Sequence, residues 1–94
     1  MVIVGGFNVY PAEVEKVLLQ HPQISDVAVT GALDERLGEV THAHIVSAAN
    51  MSEEDIIAWS REHMANYKVP RHISFHERLP RNASGKVQKF LLKA

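Results

Sequence analysis

The strongest constraint on how this chain can fold is a pair of β-rich runs on either side of a polar turn. Ile24 to Thr30 and Glu39 to Ala48 are dense in the β-branched residues that fit a pleated, half-buried surface. Gly31 closes the first run, and Asp34-Glu35-Arg36-Leu37-Gly38 supplies turn chemistry before the second. The pattern predicts a buried strand over 24–30 and a second over 39–48, paired antiparallel.

The flanking segments read as helices and loops. A Gly5-Gly6 loop leads to Val9-Tyr10-Pro11, where proline presets φ for a first helical residue. Glu13 and Glu15 favour the positive end of that helix, and Val14, Val17 and Leu18 form its apolar stripe. His21-Pro22 ends it. Ser52 with Asp55 three residues on is a capping-box pattern, predicting a helix through about Met64. Its inward stripe is Ile56, Ile57, Ser60 and Met64, with Trp59 beside it. Lys68-Val69-Pro70 must be extended, and Ile73 and Phe75 mark a third short strand. After Leu79-Pro80 comes the turn Asn82-Ala83-Ser84-Gly85, then an amphipathic helix with Val87, Phe90 and Leu91. The expected fold is α+β, a small three-stranded sheet flanked by helices in one domain over 1–94. The first loop starts without a preceding element and the last helix runs to Ala94, so both ends look cut.

At 94 residues with 46% hydrophobic side chains, a packed core needs no crosslinks. There is no cysteine, which excludes disulfides, thiolate nucleophiles and thiolate metal sites. No apolar run nears the roughly 20 residues of a membrane span. The start, Met1-Val2-Ile3-Val4-Gly5-Gly6, lacks the pattern of a signal peptide. A cytoplasmic protein is expected, with no nucleic-acid partner. Residues 1–60 carry two basic and nine acidic side chains, and residues 61–94 eight basic and two acidic. That basic third points to an anionic partner on one face, unless folding mixes the charges again.

Six histidines raise the question of a metal. His42 and His44 share a strand face, but no cysteine and no suitably spaced carboxylate accompanies them, so no metal site is assigned. No Ser-His-Asp arrangement has a supporting motif. Gly85-Lys86 is not a P-loop, because Pro80 and Val87 occupy the positions that need glycine and Ser or Thr. What remains is a lysine on a Ser-Gly turn, able to act as a point charge for phosphate or carboxylate oxygens. On spacing alone, a solvated hairpin lysine is the commoner outcome. Gly5-Gly6 permits positive φ or close approach of a ligand, and equally a plain turn before a helix. Tyr67-Lys68-Val69-Pro70-Arg71 sets an aromatic face beside two cations on a stiff loop. That suits a nucleotide, or a tyrosine packed at a helix end with solvated neighbours.

In order along the chain, these pieces resemble the AMP-forming acyl-CoA synthetases of the adenylate-forming superfamily. Gly5-Gly6-Phe7-Asn8-Val9-Tyr10-Pro11-Ala12-Glu13-Val14-Glu15 looks like the motif opening that family's C-terminal domain. His21-Pro22, Asp34 to Glu39 and Tyr67-Lys68-Val69-Pro70 follow at matching spacings. Leu79-Pro80-Arg81-Asn82-Ala83-Ser84-Gly85-Lys86-Val87 looks like its last signature. Val69 stands where some relatives carry a cation, and Leu37 where some carry tryptophan.

The resemblance implies a two-step ligase. A carboxylic acid, fatty or aryl, attacks ATP to give an acyl-adenylate and pyrophosphate. The C-terminal domain then rotates, and the thiol of coenzyme A displaces AMP. It implies that Lys86 is catalytic in the first step, stabilising charge without a covalent bond. Gly5 and Gly6 would line the pantetheine tunnel in the second, and Tyr67 and Arg71 would bind the adenine and phosphate of coenzyme A. Mg2+ would accompany ATP in the full-length enzyme. The essential partner would be a large N-terminal adenylation domain, joined by a hinge just before Met1, and residues 1–94 alone would be inactive. Pro80, Gly85 and Lys86 further imply a lysine acetyltransferase that silences adenylation while sparing thioester formation. A peptide-synthetase adenylation module and a stand-alone CoA- or nucleotide-binding module are the competing readings.

Overall fold

Val2–Val4 (β1) and Phe7–Val9 (β2) open the chain as an antiparallel pair, with Val4 facing Phe7 across Gly5-Gly6. The computed structural model describes residues 1–92. Both turn glycines have positive φ, 55° and 89°, as a two-residue turn matched to strand twist requires. A loop is expected here, yet a Gly-Gly pair between Val-Ile-Val and Phe-Asn-Val is itself a hairpin signal.

Helix α1, Pro11–Leu18, begins at the expected proline and buries Val14 and Leu18. It ends ahead of Pro22, with Leu19 and Gln20 amides still bonded to Glu15 and Val17 carbonyls. Strands β3, Ile24–Asp34, and β4, Gly38–Ser47, form the antiparallel pair that dominates the molecule. Gly31 does not close β3; it pairs with Thr41 in mid-strand. A Cβ there would lie 3.3 Å from Val2, so the small residue lets β1 pass close by. Asp34 organises the connecting turn, its Oδ1 accepting from the amides of Arg36 at 2.8 Å and Leu37 at 2.9 Å.

Helix α2, Glu53–His63, carries the full capping box between Ser52 and Asp55. Ile56 and Ser60 are buried, with Ile57, Trp59 and Met64 partly so. The chain returns through a single 3-10 turn, Asn66–Lys68, to β5, His72–Phe75, parallel to β4. Strand β4 is thus central, with β3 on one side and β1 and β5 on the other. Among the described residues the sheet has five strands where three were expected. The two extra ones form the opening hairpin.

The core joins Val14 and Leu18 of α1 and Ile56 of α2 to Val27, Val29, Ala43 and Ile45 of the sheet. Every residue from Val40 to Ile45 is buried, as a strand covered on both faces must be. The expected last helix is absent over the described residues. Arg81 and Val87 pair as an isolated β-bridge, and only Lys89–Leu91 makes a 3-10 turn. Phe90 is 76% exposed, so no packed apolar stripe offsets the cost of starting a helix. Lys93 and Ala94, the end of that expected helix, lie outside the described residues.

Candidate functional site

Lys86 sits on a loop built almost entirely by local hydrogen bonds. The amide of Gly85 donates to the Asn82 carbonyl at 3.0 Å, and the Asn82 amide donates to the Lys86 carbonyl at 3.0 Å. Asn82 Oδ1 accepts from the amides of Ser84 at 3.1 Å and Lys86 at 3.0 Å, and from Ser84 Oγ at 2.8 Å. Gly85 takes φ of 86°, a conformation that side chains disfavour. Arg81 Nη1 donates to the Gly85 carbonyl at 2.6 Å, while its Nη2 pairs with Asp26 of β3 at 2.5 Å. Beyond the loop, Lys89 meets Glu15 of α1 at 2.9 Å. Glu15 also accepts the Val29 amide, tying α1 to the edge of β3. An open cleft of about 870 Å³ lies alongside, bordered by Glu15, Asp26, Arg81, Lys86, Lys89 and Phe90. The exposed lysine is therefore a mobile charge on a fixed backbone, suited to an anion brought to it from outside.

A second group of candidates gathers at the β1–β2 turn. The Gly5 amide donates to the Leu37 carbonyl at 3.3 Å, which sets the glycine turn against the tip of the β3–β4 hairpin. Among the described residues, nothing beyond its chain neighbours lies within 4 Å of where a Gly6 Cβ would stand, so a side chain there would project outward. Phe7 stacks on Tyr67 with ring centroids 4.5 Å apart. Lys68 pairs with Glu13 and lies 5.8 Å from the Tyr67 ring centre. Arg71 is exposed and anchored by its amide to the Thr41 carbonyl at 3.0 Å. Two backbone amides, Leu37 then Arg36, hold the Asp34 carboxyl below the usual carboxylate range, and the Arg71 charge adds to them. Gly5, Gly6, Tyr67 and Arg71 are thus brought to one end of the sheet.

Lys86 is not with them. Its loop is pinned at Asp26, and the glycine turn meets the hairpin tip just past Asp34. Those two residues bound nine positions of one strand, about 26 Å from end to end. One small substrate cannot touch both sites of a single static domain.

His42 and His44 occupy a sheet face with Thr30 and Ser74, and they are buried. Their rings stack 4.1 Å apart. His42 Nε2 lies 2.7 Å from Ser74 Oγ, and His44 Nδ1 lies 2.9 Å from His76 Nε2. Burial first, then neighbouring imidazoles, pushes the pKa of both down, that of His44 to about 4. Among the described residues no group of three or more His, Cys, Asp or Glu is arranged to hold a metal.

The sequence suggests no role for Phe7, Asp26 or Arg81, and it shows Asn82 only as part of a turn. Asn82 was legible in principle, since asparagine favours such turns. Asp26 and Arg81 were not, because their pairing spans 55 residues.

Comparison with known proteins places these features in context. The chain matches the family model described as AMP-binding enzyme C-terminal domain over residues 13–86, which ends on Lys86. It is 53% identical over 91 residues to 3-[(3aS,4S,7aS)-7a-methyl-1,5-dioxo-octahydro-1H-inden-4-yl]propanoyl:CoA ligase of Mycobacterium tuberculosis, covering 95% of this chain and 18% of that protein. It is 47% identical over 97 residues to the medium-chain fatty-acid–CoA ligase of Escherichia coli, covering 99% of this chain and 17% of that protein. A double mutant of o-succinylbenzoate CoA synthetase from Bacillus subtilis, bound with a product analogue, superposes with a TM-score of 0.90 at 44% identity. That match covers 97% of this chain and 19% of the synthetase. The chain spans less than a fifth of the length of the relatives it matches. With that family model spanning most of its length, this chain belongs to the AMP-binding enzyme C-terminal domain family.

Proposed function

We propose that residues 1–94 serve as the mobile C-terminal domain of an ATP-dependent, AMP-forming acyl-CoA ligase acting on a fatty or aryl acid. The observation that carries this reading is the separation of Lys86 from Gly5 and Gly6 along the sheet. Two sites anchored at points about 26 Å apart along one strand can both serve one reaction centre only if the domain turns between steps. In the first orientation, Lys86 approaches the carboxylate and the α-phosphate of ATP, where negative charge is redistributed. Its ammonium then stabilises the transition state by position and charge. In the second, the glycine turn faces the centre with backbone alone, leaving a channel for the pantetheine arm of coenzyme A. Tyr67 and Arg71, beside that turn, offer a ring face and a cation to its nucleotide end. The adenylation domain would hold ATP, its Mg2+ and the acid. ATP and coenzyme A are cytoplasmic metabolites, and the ligase is expected to work there.

The test uses the full-length ligase that carries this domain. Lys86→Ala should lower adenylation, read as pyrophosphate exchange, on the order of 100-fold while sparing acyl transfer from supplied acyl-adenylate to CoA. Gly6→Leu should do the reverse. Equal losses in both half-reactions for either variant would refute the division of labour. Acetylation of Lys86 removes the same charge. A lysine acetyltransferase acting there should therefore reproduce the Lys86→Ala pattern, and normal adenylation by the acetylated enzyme would remove that form of control.

A further inference from the structure

The Gly85–Lys86 peptide is clamped from both sides. Its N–H donates to Asn82 Oδ1 at 3.0 Å, and its C=O accepts from Arg81 Nη1 at 2.6 Å. The Asn82 contact is internal to the loop. Arg81 is different, because its second nitrogen reaches Asp26 Oδ2 at 2.5 Å, on the strand that forms the body of the sheet. Asp26 is fixed in turn, its Oδ1 accepting the Val27 amide at 3.0 Å. One guanidinium therefore links the peptide that carries the lysine to β3, and a planar fork holds two acceptors at a set angle as an ammonium cannot.

We propose that Arg81, held by Asp26, is a positioning residue for Lys86 that sets the orientation of the lysine-bearing loop relative to the sheet. Resting on the ligase reading, this assigns Asp26 and Arg81 to the adenylation step, although neither reaches the reacting atoms. An exposed ion pair contributes little to stability, so a purely structural role would leave small traces everywhere. A positioning role leaves a large trace in one half-reaction only. A catalytic group displaced by about 1 Å can cost on the order of 100-fold in rate.

The experiment measures both half-reactions and the melting temperature of the full-length ligase for Asp26→Asn, Arg81→Met, Asp26→Glu and Lys86→Ala. Asp26→Asn and Arg81→Met should lower kcat for adenylation on the order of 10- to 100-fold. KM for acid and ATP, acyl transfer to CoA and melting temperature should stay near those of the parent. Asp26→Glu restores the ion pair and should recover most of the rate. If Asp26→Asn and Arg81→Met adenylate normally while Lys86→Ala does not, the positioning role is wrong and the ligase reading stands. If Lys86→Ala also adenylates normally, both fall. A parallel loss of both half-reactions and of melting temperature would make the pair merely structural and overturn the proposal.

Discussion

His44 is fully buried on the central strand, between Thr30 Oγ1 at 3.3 Å and His76 Nε2 at 2.9 Å, with His42 stacked against it. Its pKa is depressed from 6.5 to about 4, chiefly because burial disfavours the imidazolium. Between those values the unfolded chain binds a proton that the native state refuses, so stability falls as pH drops from about 6.5 towards 4. The full shift corresponds to about 3 kcal/mol. Urea unfolding across that range should show this slope, and His44→Gln should reduce it, leaving the share that His42 contributes. An unchanged slope in the variant would assign the acid sensitivity elsewhere. The pairing of His42 with His44 on one strand face was legible from their spacing of two, but their burial was not. Only the parallel addition of β5, bringing Ser74 and His76, gives those rings partners inside. Lys86 presents the opposite case. Its turn was legible from Asn82-Ala83-Ser84-Gly85, while the clamp that holds the turn depends on Asp26.

Helix α2 was legible nearly to its ends because its start is written in four consecutive residues. Ser52 Oγ accepts the Asp55 amide at 3.1 Å, and Asp55 Oδ2 accepts the Ser52 amide at 3.0 Å. Ser52→Ala leaves an amide without its side-chain partner and should cost about 1 kcal/mol. The unfolding midpoint reads that loss, and no change would mean that water replaces the cap in full. The opening hairpin and the last segment failed in opposite directions. At residues 2–9 the strands are only three residues each, too short for alternation to stand out, although Gly5-Gly6 marked the turn. At residues 87–91 the apolar spacing suited a helix, but a helix so short forms only if its stripe is buried. Phe90 and Leu91 stay exposed instead, and Val87 is drawn into a bridge with Arg81.

At the scale of the whole molecule, one core supports both the Lys86 loop, tied to Asp26, and the glycine turn, bonded to Leu37. Ile45 is fully buried where both helices and the sheet converge, so Ile45→Ala should cost about 2–5 kcal/mol. On the ligase proposal, it should lower both half-reactions of the full-length protein only in proportion to the fraction of folded domain. A selective loss of either step in a fully folded variant would mean that the core also tunes a site. The sequence by itself determined the α+β class, the β3–β4 pair, the two helix starts, the turns at Gly5-Gly6 and Asn82-Ala83-Ser84-Gly85 and the family. All but the family, which rests on motifs at both ends of the chain, are written in residues a few positions apart, where periodicity, caps and turn chemistry act. Only the tertiary structure decided that Lys86 and the glycine turn lie at opposite ends of one strand, that Phe7 meets Tyr67 and that Asp26 steadies Arg81. Those contacts join residues about 55 to 60 positions apart, brought together by strand pairing and a shared core rather than by any local pattern.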